Sequence, residues 1–116
     1  MKMWFSLIVL TVGLMTAYAH AAPHQTDMTQ AVKNAKTSAD HNLLAERYED
    51  TAKEMQSKVD EHKKMLAEYE AHSEYYGRAG LDMESMCKAL IRVYEQAAKE
   101  NKNLADSHRK MAAETK

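Results

Sequence analysis

An internal repeat constrains this chain more than any other feature. Shifted by 46 residues, His41–Glu68 lies over Cys87–Glu114 with twelve identities in 28 positions. The matches include Leu44/Leu90, Tyr48/Tyr94, Glu49/Glu95, Ala52/Ala98, Asp60/Asp106, His62/His108, Lys64/Lys110 and Met65/Met111. Two unrelated helices of this biased composition would agree at roughly three positions. A shared Ala/Glu/Lys bias does not put Tyr, His and Met in register, so one duplicated unit is the simpler explanation.

The repeated unit reads as a helix. Pro23 is the only proline, and the glycines that follow it are Gly77 and Gly80. Between Asp27 and Tyr76 nothing breaks a helix, and Ala, Glu, Lys, Met and Leu are frequent. Asp27 with Gln30 predicts a helix start, and Thr37-Ser38 a restart. Gly77-Arg78-Ala79-Gly80 reads as a turn, with Asp82 capping a second helix. The expected fold is all-α, a long antiparallel helical hairpin with a helix over 39–76, a turn over 77–82 and a helix over 83–113. Residues 22–38 are expected to be flexible or partly helical.

Within the first helix His41, Tyr48, Met55, His62 and Tyr69 recur every seven residues, with Ala45, Ala52, Val59 and Leu66 four further on. In the second, Cys87, Tyr94, Asn101 and His108 hold those places, flanked by Ile91, Ala98, Ala105 and Ala112. That spacing lines each set along one helical face. The expected interface residues are Tyr48, Met55, Val59, Tyr69, Ile91, Tyr94 and Ala98. Two one-sided helices make a thin core, so self-association is expected, most simply a homodimer forming a four-helix bundle.

The N-terminus carries an address. Lys2 precedes the apolar run Trp4 to Met15, and Ala19-His20-Ala21 supplies a small-x-small cleavage pattern. Residues 1–21 therefore read as a signal peptide, and the mature chain as periplasmic or secreted. The apolar run is shorter than the roughly 18 residues of a membrane span, so no stable anchor is expected after cleavage. Of the 16 Lys+Arg only Lys2 lies in that segment, leaving 15 against 17 Asp+Glu. Such a balance is no footprint for nucleic acid or anionic lipid. The expected partners are a second copy or a periplasmic protein.

Metal chemistry has two candidate sets. The single cysteine rules out an internal disulfide, and in an oxidising compartment Cys87 must be buried, ligated or paired between chains. Counting from the turn puts Cys87 level with His72, near Met83 and Met86, a donor set suited to copper. The structural alternative is a buried free thiol beside Tyr69 with His72 solvated. His62 with Met65, and His108 with Met111, each place an imidazole and a thioether one turn apart. Two ligands make an incomplete site, and half-buried seam residues account for the same spacing. No nucleophile elbow, phosphate loop, HExxH or haem-attachment motif is present, so the chain is expected not to be an enzyme.

The segments HNLLAERYEDTAKEMQSKVDEHKKM and MCKALIRVYEQAAKENKNLADSHRKMA resemble a group of small exported proteobacterial helical proteins. That group pairs an H-x-x-L-A-x-x-Y helix with one containing H-C-x-x-L and ending H-R-x-M-A. The resemblance covers about two-thirds of the mature chain and implies export and helicity, without an activity. Met86 stands where the group has a histidine before the cysteine.

Overall fold

The computed structural model describes residues 23–116, and these fold into three helices with no strand among them. Helix α1 spans Pro23–Asn34, α2 Ser38–Ala71 and α3 Ser73–Glu114. The signal-peptide reading of 1–21 lies outside the described residues. Helix α1 begins at Pro23, ahead of the expected start at Asp27. Proline suits a first helical turn, where its missing N–H costs no hydrogen bond. The Asp27 carboxylate is used elsewhere, taking an ion pair from Arg47 of α2 at 3.3 Å.

Thr37 starts α2 through a capping box. Its hydroxyl accepts from the Asp40 N–H at 3.1 Å, while the Asp40 carboxylate accepts from the N–H groups of Thr37 and Lys36, each at 3.0 Å. These donors hold the Asp40 carboxyl below its ordinary range, the Lys36 N–H contributing most. The reciprocal bonds satisfy N–H groups that a helix start leaves open.

The chain reverses differently from the expected 77–82 turn. Helix α2 stops at Ala71 because His72 leaves helical geometry at φ −123°, ψ 34°. Residues Ser73 to Tyr76 form a short helical turn before Gly77, which takes φ 54°. Only glycine enters that region without a Cβ penalty. The second long helix then runs on from Gly77, so residues 78–82 are helical instead of turn. Gly80 has its own reason: a Cβ there would sit 2.5 Å from Tyr76 Cβ.

Helices α2 and α3 pack side by side. Ion pairs join Glu49 to Arg109, Lys63 to Glu95 and Glu70 to Lys88, so numbers fall along α3 as they rise along α2. The apolar core between the helices is Leu44, Ala45, Val59, Cys87, Ile91, Ala105 and Ala112. Three of these seven are alanine, which offers little area to bury. The molecule is elongated, with a Cα radius of gyration of 25.2 Å, where a compact 100-residue domain has roughly 13 Å. Among the described residues no helix is long and apolar enough to cross a membrane.

Candidate functional site

Aromatic rings line the seam between α2 and α3 in a reciprocal pattern. Tyr48 of α2 stacks on His108 of α3, with centroids 5.5 Å apart and planes 11° apart. His62 of α2 stacks on Tyr94 of α3 at 5.6 Å and 12°. Tyr48 and Tyr94 are repeat mates, as are His62 and His108. Each tyrosine of one copy therefore meets the histidine of the other. The flanking charges obey the same rule. Glu49 receives Arg109 at 2.7 Å, and its mate Glu95 receives Lys63, the mate of Arg109, at 3.3 Å. The pattern is that of a twofold passing near the repeat mates Met55 and Asn101, both half-buried. Tyr48, His62, Tyr94 and His108 all face the opposing helix.

Beyond exchanges such as Lys63 for Arg109, the two ends of this pattern differ where each copy opens. His41 and Cys87 hold matching places in the repeat. At the first end His108, only 7% exposed, lies between Tyr48 and His41. The His41 and His108 rings have centroids 5.3 Å apart and their Nδ1 atoms are 3.1 Å apart. Burial first, and then the neighbouring His41, push the His108 pKa down, so it favours a neutral ring. At the second end Cys87 is buried as a free thiol, and His62 Nδ1 is buried without a hydrogen-bond partner.

Of the copper set expected at Cys87, His72, Met83 and Met86, only Cys87 is buried. Cys87 turns into the helix pair, but Met83 and Met86 are exposed. His72 folds back on its own helix, its Nδ1 lying 3.3 Å from the Glu68 carbonyl and 3.1 Å from the Glu68 carboxylate. It ends α2 and keeps its ring on that helix's last turn, while the Glu70–Lys88 pair leaves it at the level of Cys87, as counted. Of the paired ligands, His62 and His108 face the seam, Met65 is half-buried and Met111 is exposed. Among the described residues no three His, Cys, Asp or Glu side chains cluster as metal ligands would.

The remaining expected interface residues lie along the same face. Val59 is fully buried and Ile91 nearly so, while Met55 and Ala98 are half-buried. Tyr69 meets Tyr76 edge-on, with centroids 5.2 Å apart. The pairing of His41 with His108 is the feature that sequence reasoning missed. The repeat carried a signal for it, since His41 opens the first copy where Cys87 opens the second.

A second surface lies outside the seam. Met86, Val93, Leu104 and Met111 are all exposed on α3. Their spacings of 7, 11 and 7 residues hold them on one face of the helix. Half-buried Leu90 and Ala97 border them. On the α1 side of the helix pair, Met28, Val32, Tyr48, Thr51 and Asn101 line an open groove of about 670 Å³.

Fold and seam together define an all-α protein with paired aromatic stations between two long helices. Comparison with known families, with characterised proteins and with solved structures returned no match.

Proposed function

We propose that this protein is a non-catalytic helical interaction protein, made for export to the periplasm or beyond. It works by associating with a second copy of itself. The observation that carries this reading is the exposed apolar stripe of Met86, Val93, Leu104 and Met111 on α3. A stripe of this kind is the apolar face that one helix offers another. The thin α2–α3 core supports the same reading, because a one-sided helix pair gains stability by covering its second face. Two duplicated-helix hairpins meeting along their α3 stripes would form a four-helix bundle. The titratable groups along the seam serve ring stacks and ion pairs, and this favours a structural role over a catalytic one.

Sedimentation equilibrium of the matured protein, with and without Val93→Glu and Leu104→Glu together, tests the reading. A parent dimer and a monomeric double variant with unchanged helicity are expected. A parent that remains monomeric as its concentration rises removes the proposal.

A further inference from the structure

We propose that His41 and His108 form a two-coordinate Cu(I) site, the ion held between their Nδ1 atoms across the α2–α3 seam. The ring centroids are 5.3 Å apart and the Nδ1 atoms 3.1 Å apart. The difference matches the two centroid-to-nitrogen arms, so the nitrogens point nearly head-on at each other. Without a metal, one ring must donate its Nδ1 proton to the lone pair of the other.

A head-on pair is poorly arranged for an ion that needs four ligands around it. It suits a d¹⁰ ion that accepts two collinear donors, which Cu(I) does. Two imidazoles facing each other from opposite helices then complete the coordination, as an imidazole and a thioether one turn apart on a single helix do not. Metal–nitrogen bonds of roughly 2 Å would require the nitrogens to move apart by about 1 Å. His41 can supply that movement because it is only half-buried, while His108 is held from behind by Tyr48.

The surroundings favour the ion too. His108 is 7% exposed, which keeps water away from a low-coordinate centre. The flanking residues on the buried side, Leu44, Ala45, Ala105 and Ala112, are apolar and offer no competing hard oxygen donor. Binding needs both Nδ1 lone pairs. A ring that carries its proton on Nδ1 shifts it to Nε2 as the metal enters, and no redox step is involved. Both ligands belong to the α2–α3 seam of a single chain, so the site does not require self-association.

Anaerobic titration of the apo protein with Cu(I), in competition with a chromophoric Cu(I) chelator, tests the assignment. X-ray absorption reports the coordination number. The parent should take one tight equivalent, with the edge feature of linear two-coordinate Cu(I) and two nitrogen scatterers. His41→Gln, at the more exposed position, should lower the affinity at least 100-fold while helicity is retained. Cys87→Ala should leave it within about threefold of the parent. Absence of tight binding, a sulfur ligand in the spectrum, or full affinity in His41→Gln would each overturn the proposal. Sedimentation of the apo protein reads self-association separately, so the two ideas can fail independently.

Discussion

At the end of the seam away from the chain reversal, His108 lies between Tyr48 and His41, and its Nδ1 has a nitrogen partner at 3.1 Å. Nearer the reversal its repeat mate His62 stacks on Tyr94 but keeps a buried Nδ1 with no partner. Both ends use the same tyrosine, glutamate and histidine, and the rings stack at nearly the same distance and tilt. Among the exchanges between them, the one that bears on the histidine nitrogen is His41 in one copy and Cys87 in the other. The two repeat segments supply two stations with the same ring pairing, and exchanges such as His41 for Cys87 make them chemically unlike. The lesson is that packing symmetry and chemical equivalence are set by different residues.

The largest test truncates the two histidines. His108→Ala should cost about 3 kcal/mol, in the range for removing a buried ring from a stack. His62→Ala should cost about 1 to 2 kcal/mol, because that ring is half-buried and its truncation also removes an unsatisfied nitrogen. Urea unfolding of both variants decides the matter. Equal losses would show that the two stations are energetically alike despite His41.

Next in size are the glycines of the reversal end. Gly77→Ala places a Cβ at φ 54° and should cost about 1 to 2 kcal/mol. Gly80→Ala drives a methyl against Tyr76 Cβ and should cost about 1 to 3 kcal/mol. Amide exchange should quicken around residues 72–80 in both variants while the His41–His108 end stays protected. Uniform loosening along both helices would break the distinction between the ends.

A smaller effect is expected from pH, in protein freed of metal by a chelator. The folded pKa of His108 lies below its ordinary 6.5, so the unfolded chain binds the proton more readily. The contribution of neutral His108 to stability is therefore complete above pH 6.5 and is lost as pH falls from there through the folded value. Thermal midpoints between pH 7.5 and 5 should decline, and more steeply in the parent than in His108→Phe. Identical slopes would remove His108 as the source.

The smallest effect belongs to the exposed ion pairs. Arg109→Gln and Lys63→Gln each break one of the reciprocal pairs, Glu49–Arg109 or Lys63–Glu95. Solvent screening limits such pairs, so each thermal midpoint should move near the limit of detection. A clear loss from Arg109→Gln alone would mean that the 2.7 Å pair helps hold the His41–His108 station together.

Much of this molecule was legible in the chain itself. The absence of helix breakers over 27–76 meant a long helix, Thr37 marked its start, and Gly77 marked the zone where the chain turns back. Seven-residue spacing identified Tyr48, His62, Tyr94 and His108 as members of one face on each helix. Helical periodicity, however, determines which way a side chain points around its axis and not which residue it meets along a neighbouring helix. Here the glycine positions supplied that axial register, since Glu49–Arg109, Lys63–Glu95 and Glu70–Lys88 keep the one counted from Gly77–Gly80, but they gave no sign of the break at His72. Tertiary packing alone therefore decided that His72 closes α2 with its ring on Glu68, and that His41 meets His108. The physical reason is that a backbone break and a ring-to-ring contact depend on the close fit of two whole helix faces, which local spacing along either helix does not encode.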